Sequence, residues 1–159
     1  MDQAAQDRVA IAEDALAWEQ AGALKVETQH YIVVDDAATC LALSRDKQAR
    51  DVVLGPCQVC VLGGLLLAKA VRFDAVTVDD VIGNRVRCLL DHFSAEQLNQ
   101  IEAAFEGNSY PSVTGIMSSS GVIINHAWRE LFSDDKVRFR RIMENIIRNE
   151  GTFVPSDLG

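Results

Sequence analysis

The chain has 159 residues, 48% of them hydrophobic, and its 23 Asp and Glu against 15 Lys and Arg give a net charge of −8. This length suits one domain spanning residues 1–159, and the composition is that of a folded protein and not of a disordered one. The acidic balance argues against nucleic acid as a partner of the whole surface, because phosphate binding depends on Lys and Arg.

The longest apolar stretch covers residues 59–67, where Gly63 and Gly64 interrupt it, and Lys69 follows. It falls short of the roughly 20 residues that a membrane span needs, so no membrane partner is expected. The amino-terminal residues are acidic and lack an apolar segment of the signal-peptide type, which predicts a cytoplasmic protein. In that compartment four cysteines are expected to be reduced or metal-bound: Cys40, Cys57, Cys60 and Cys88.

The first predicted element is a helix over residues 3–21, because Val9, Ala12 and Leu16 follow helical spacing and Gly22 is placed to end it. Residues 25–36 read KVETQHYIVVDD, which is rich enough in β-branched and aromatic side chains for a short strand or an extended arm. This segment is the only strand expected near the front of the chain.

Three Asp-Asp pairs, at 35–36, 79–80 and 134–135, each stand directly before a helical pattern. Paired acids can serve catalysis or bind a metal. An Asp at a helix N-cap, however, accepts hydrogen bonds from free backbone amides and complements the helix dipole, so capping is the favoured interpretation. The helices that follow the pairs are predicted over residues 36–48, 79–93 and 134–149.

A further helix is predicted from Ser94, which forms a capping-box pattern with Gln97, to Gly107. Residues 108–121 read NSYPSVTGIMSSSG, a composition that predicts a long mobile or functional loop. The predicted class is therefore mainly α: a single-domain bundle of about five or six helices with at most a small β element.

The segment over residues 57–71 is predicted to be a core helix that begins near Pro56. Cys57, Cys60 and Gly64 would then share one face, where another helix can approach closely. In this favoured interpretation the two cysteines are small apolar packing residues.

The alternative interpretation adds Cys88 and His92, which are four residues apart on the helix predicted over 79–93. With Cys57 and Cys60 they supply three thiolates and one imidazole, a ligand set that suits a structural zinc ion. The residues between the two pairs have a largely helical pattern, which argues against a zinc site. A thioredoxin-type redox pair is disfavoured because the preceding strand of a βαβ unit is not visible in the sequence.

No catalytic residue is assigned. The serines at 118–120 precede His126, but the nucleophile elbow Gly-x-Ser-x-Gly is absent from the sequence. His30 stands beside Tyr31, and a lone histidine next to an aromatic residue usually has a structural role. The sequence contains no Gly-rich phosphate loop, dinucleotide fingerprint or His-Glu-x-x-His pattern.

The last predicted helix carries one apolar stripe at helical spacing, formed by Phe139, Ile142, Met143, Ile146 and Ile147. Its basic residues are expected to lie outside the stripe and to form a partner-binding surface: Lys136, Arg138, Arg140 and Arg141. Residues 1–36 hold eight acids against two bases, and this polarity also suits self-association into a homo-oligomer. Nucleotide or nucleic-acid binding confined to the four bases is the minority interpretation.

Two segments, Cys57-x-x-Cys60-x-x-Gly63-Gly64-Leu65 and the Ile-Arg-Asn-Glu-Gly-Thr-Phe-Val-Pro of residues 147–155, resemble a family of small uncharacterised proteins of bacteria, phages and prophages. The resemblance implies an accessory protein of a phage or mobile element, and it supplies no catalytic residues. We therefore expect a small acidic, non-enzymatic binding or regulatory protein without a cofactor, which binds and modulates a host or defence protein. The alternative is a zinc- or thiol-dependent enzyme, or a zinc-stabilised domain, that uses Cys57, Cys60, Cys88 and His92.

Overall fold

The computed structural model describes residues 1–28, 32–34, 57–73, 86–107 and 127–159. The α-helices are α1 (Gln3–Gln20), α2 (Val61–Phe73), α3 (Ala95–Glu106) and α4 (Asp135–Arg148), and the strands are β1 (Leu24–Val26), β2 (Ile32–Val34) and β3 (Cys57–Val59). Val86–Asp91 form a 3₁₀ helix, and residues 127–131 are helical. The prediction of a mainly α fold with a small β element is confirmed.

Several predicted features lie outside the described residues. They are the helix over 36–48, the start of the helix over 79–93, the loop over 108–121, the Asp pairs at 35–36 and 79–80, Cys40, His30, the serines at 118–120, and His126.

Helix α1 begins where its sequence predicts. Asp2 is the N-cap, and its carboxylate accepts a hydrogen bond from the amide of Ala5 at 2.7 Å. Ile11, Ala12 and Ala15 are fully covered, whereas Val9 and Leu16 of the expected face are half-buried. Small side chains allow α1 to lie close against α2 and α4, the two helices on which it packs.

The three described strands form one small sheet in the order β1-β3-β2. Strand β3 pairs in parallel with β1, so that Leu24 lies opposite Cys57, and pairs antiparallel with β2, so that Val34 also lies opposite Cys57. The segment predicted as a single strand or arm over 25–36 therefore contributes two strands. Strand β3, which the sequence analysis placed in a helix, lies between them.

The helix predicted over residues 57–71 begins later, at Val61, because residues 57–59 belong to the sheet. This corrects the prediction that Cys57 and Cys60 share a helical face. The expected close approach at Gly64 is present: a Cβ built on Gly64 would lie 3.0 Å from Cε2 of Phe139. Residues 61–70 of α2 are all buried, which makes α2 the central helix of the described core.

The other predicted helix boundaries follow from local capping. Ser94 accepts a hydrogen bond from the amide of Gln97 at 3.1 Å, and α3 ends at Gly107, whose φ of 71° is readily adopted by glycine. Asp134 caps α4 through the amide of Val137 at 2.9 Å, as the capping interpretation of the last Asp pair predicts. The described end of the helix predicted over 79–93 is instead the 3₁₀ helix.

Candidate functional site

Cys60 lies between β3 and α2, at the amino terminus of the central helix. The amides of Leu62 and Gly63 donate hydrogen bonds toward it, yet burial outweighs them and raises the pKa of the Cys60 thiol to about 12. Glu102 and Glu106 of α3 raise this pKa further. Because the thiolate and not the thiol is the nucleophile and the metal ligand, Cys60 is chemically suited to packing at neutral pH.

The zinc hypothesis requires Cys60 and His92 to meet at one ion. The ring of His92 instead packs on Phe73, the last residue of α2, with the ring centroids 4.7 Å apart. Helix α2 has 13 residues, so its ends are about 18 Å apart at about 1.5 Å per residue. The structure thus separates two members of the proposed ligand set, and the residues that it describes contain no group of three or more side chains able to hold a metal ion.

Cys88 lies on the 3₁₀ helix, partly buried against the core. Its backbone carbonyl accepts a hydrogen bond from Nζ of Lys69. The same Lys69 Nζ lies 2.7 Å from the Asp91 carboxylate, whose side chain is 69% exposed, whereas that of Lys69 is fully buried. The hydrogen bond from Lys69 lowers the pKa of Asp91, and the pair joins α2 to the 3₁₀ helix.

His92 lies where α1, α2 and the 3₁₀ helix meet. Its Nδ1 is 3.7 Å from the carboxylate of Asp7, and its backbone carbonyl accepts a hydrogen bond from Arg8 at 3.0 Å. Burial, followed by the positive charge of Lys69, lowers the pKa of His92, and Asp7 opposes this shift without cancelling it. The histidine is consequently neutral at neutral pH and acts as a packing residue at this junction.

Arg138 does not lie on the surface, contrary to the sequence-based prediction. Its side chain is fully buried and donates to the carbonyl of Phe105 at 2.7 Å, to that of Phe132 at 2.8 Å and to the Asp135 carboxylate at 2.6 Å. Burial raises the pKa of Asp135, but hydrogen bonds from Thr28 and Arg138 outweigh it and hold this pKa below its usual range. Arg138 therefore binds free carbonyls of the protein's own chain.

Arg140 is also engaged within the chain. It forms a two-point ion pair with Glu19 of α1, with Nε 2.5 Å and Nη2 3.0 Å from the two carboxylate oxygens. The Glu19 side chain is 1% exposed, and its hydrogen bond raises the pKa of Arg140. Two of the four predicted partner-binding bases thus have structural roles, and the prediction is left with Lys136 and Arg141.

Lys136 and Arg141 are exposed beside apolar side chains that are also exposed. Leu131 and Val137 are 60% and 42% exposed, and the Arg141 guanidinium lies 5.7 Å from the centre of the Phe132 ring. Val137 and Arg141 are four residues apart, on one face of α4. We call Leu131, Phe132, Val137 and Arg141 the α4 patch. It combines apolar, aromatic and guanidinium groups at one surface.

Sequence reasoning missed two side chains that bind main chain, Gln97 and Asn145. Asn145 is fully buried and stands beside Met143 and Ile146 on the covered face of α4. A polar residue at that position requires hydrogen-bond partners. This was the signal available in the sequence, although the sequence could not identify those partners.

No described helix is both long and apolar enough to cross a membrane. A comparison of the chain with protein-family models, with curated proteins and with solved structures finds no match.

Proposed function

We propose that the chain is a small non-enzymatic binding protein that engages a host or defence protein in the setting of a phage or mobile element. The observation that carries this proposal is the α4 patch. Val137 exposes apolar surface on the same face of α4 as Arg141, whose guanidinium lies 5.7 Å from the centre of the Phe132 ring, and Leu131, next to Phe132 in the chain, is also exposed. Protein–protein binding energy comes mainly from a few side chains that a partner buries together, and aromatic and Arg side chains are frequent among them.

The chemistry of Cys60 supports a binding role over thiol catalysis. A thiol whose pKa is raised to about 12 by burial is protonated at neutral pH and is a poor nucleophile. Lys69 is buried and bonded to a carbonyl and a carboxylate of the same chain. These contacts join α2 to the 3₁₀ helix, so the amine of Lys69 has a structural role.

The partner that suits the α4 patch has an apolar anchor beside a carboxylate. Arg141 has only Glu144 as a described ion-pair partner, at 3.4 Å, and its side chain is 49% exposed. Lys136 adds a second exposed cation in the first turn of α4. An acidic surface would therefore associate faster with the patch at low salt, while the apolar contacts would set the dissociation rate.

Affinity capture from host or infected-cell lysate tests the proposal. Val137→Asp and Arg141→Glu, each of which changes an exposed α4 residue, should abolish recovery of a specific partner. A central interface residue contributes about 2 kcal/mol or more, or about 30-fold in affinity. Arg87→Glu is the matched control, because Arg87 is exposed on the 3₁₀ helix away from α4. Equal recovery of the same partner by all three variants would show that the α4 patch is not the interaction surface.

A further inference from the structure

The chain that follows α4 returns across α3 without helix or strand and turns again at residues 154–157, and its backbone is held by side-chain amides. We call residues 151–158 the return segment. Nε2 of Gln97 donates to the carbonyl of Phe153 at 3.1 Å, and the amide of Phe153 donates to Oε1 of Gln97 at 2.6 Å. One glutamine thus makes both hydrogen bonds that a neighbouring β-strand would make to that residue.

Asn145 binds the next residue in the same way. Its Nδ2 donates to the carbonyl of Val154 at 2.8 Å, and the amide of Val154 donates to its Oδ1 at 2.9 Å. Nδ2 also donates to the carbonyl of Asp157 at 2.7 Å. Two consecutive residues are therefore bound through their main chain by amides that project from two different helices.

Phe153 is the deeply buried side chain of the return segment, and Leu158 is partly buried against the core. The Phe153 ring is 1% exposed and lies 5.3 Å from the Trp128 ring, while the indole of Trp128 donates to the carbonyl of Pro155 at 2.9 Å. The Asp157 carboxylate accepts hydrogen bonds from Arg148 and Asn149, which lower its pKa. Thr152 and Ser156 are exposed. Main-chain bonding with one deep aromatic anchor is how a groove binds an extended peptide.

The reversal between α4 and the return segment is conformationally costly. Glu150 has a φ of 53°, and Gly151 follows with a φ of 85°. Glycine adopts a positive φ freely, but an L-residue with a side chain does so at a cost. Glu150 is exposed, so this cost comes from its backbone conformation. Straightening the chain at Glu150 removes it.

We propose that the groove lined by Gln97, Trp128 and Asn145 binds the return segment of a second copy, so that two copies exchange their segments with Glu150 as the hinge. A second copy is the occupant we infer, because its segment carries the same residues as the one that fills the groove within a single chain and so matches every donor and acceptor named above. Arg8 of the receiving copy would donate to the incoming Gly151 carbonyl, as it does within one chain at 2.7 Å. This inference does not depend on the proposed function.

The hinge supplies the first test. The association constant for dimerisation of the full chain is measured by sedimentation and light scattering over a range of concentrations. Glu150→Gly relieves the cost of the closed reversal and should lower the constant by about 5–30-fold per hinge. Glu150→Val, with a β-branched side chain that tolerates a positive φ less well, should raise it. Equal constants for wild type and both variants, or a monomer at every concentration in all three, would overturn the proposal.

Complementation supplies the second test and separates exchange from dimerisation through any other surface. Phe153→Ala damages the segment, and Asn145→Leu damages the groove at similar volume. Placed in the Glu150→Val chain, each should be monomeric alone, and their mixture should form a heterodimer detectable by native mass spectrometry. Only the mixture brings an intact groove and an intact segment together. Homodimers that survive either change, or a mixture of folded variants without heterodimer, would overturn the exchange.

Discussion

Three buried or half-buried cations among the described residues, Arg8, Lys69 and Arg138, bind carbonyl groups of their own chain. Arg8 donates to the carbonyls of Gly151 and His92, Lys69 to that of Cys88, and Arg138 to that of Phe105 at the carboxyl end of α3. The last carbonyls of a helix have no partner within the helix, and a guanidinium can satisfy several of them at once. The charged groups of these residues thus stabilise the fold.

Arg138 gives the sharpest prediction at this scale. Arg138→Leu leaves the carbonyls of Phe105 and Phe132 without their donor, so we expect a loss of at least about 2 kcal/mol in the free energy of unfolding. Arg138→Lys should fail to restore it, because an ammonium cannot reproduce the guanidinium fork. Arg141→Leu is the control, since Arg141 is half-exposed, and it should change stability by no more than about 0.5 kcal/mol. Urea denaturation followed by circular dichroism measures all three; similar effects at both positions would contradict the buried role of Arg138.

The helices were predictable where their signals are local. Ser94 and Asp134 are N-caps because their side chains reach amides only three residues away, and such a spacing is visible in a sequence. Strand β3 was not predictable in this way. Its three residues pair with Leu24–Val26 and Ile32–Val34, far away in the chain. That pairing keeps residues 57–59 out of the helix that begins at Val61.

The candidate site was likewise predictable from the sequence only where local signals decide the position of a side chain. The exposure of Lys136 and Arg141 follows from their places on an amphipathic helix, and this part of the prediction holds. The burial of Arg138 depends on the Phe105 carbonyl, 33 residues earlier. The engagement of Arg140 depends on Glu19, 121 residues earlier. Helical periodicity carries no information about such distant partners.

The contact between α2 and α4 at Gly64 tests packing at the scale of elements. A Cβ at Gly64 would lie 3.0 and 3.1 Å from two ring carbons of Phe139, which is fully buried. Gly64→Leu should therefore destabilise the protein by about 1–3 kcal/mol through overpacking, despite the better helix propensity of leucine. Ala17→Leu on the exposed face of α1 is the control. Thermal and urea unfolding report the difference, and a Gly64→Leu chain as stable as wild type would show that α4 can move away at no cost.

Across the whole molecule, acidic side chains of α1 pair with basic side chains of other helices. Glu19 of the acidic first helix pairs with Arg140 of the basic last helix, and Asp14 of α1 forms a two-point pair with Arg72 of α2, which raises the pKa of Arg72. Part of the polarity that suggested self-association is thus satisfied within one chain. Lys136 and Arg141 of the last helix remain exposed, so a partner would contact these two cations.

His92 links this internal charge arrangement to the pH dependence of the whole fold. Burial and Lys69 lower its pKa from the usual value of 6.5, so near and below that pH the unfolded chain binds a proton more readily than the folded chain does. Stability must then rise with pH through this range, because the slope of the unfolding free energy follows the excess of protons bound by the unfolded state. The lowered pKa values of Asp91, Asp135 and Asp157 keep these carboxylates ionised there.

We expect the wild-type free energy of unfolding to increase between about pH 5 and pH 7.5, and the increase to be smaller in His92→Gln, which cannot titrate. Urea titrations at closely spaced pH values measure both slopes. The difference between the two chains removes the contribution of the other two histidines, which lie outside the described residues. Parallel curves would mean that His92 has the same pKa in the folded and unfolded chain. A steeper His92→Gln curve would mean that the Asp7 carboxylate outweighs burial and Lys69, so that the folded state favours the imidazolium.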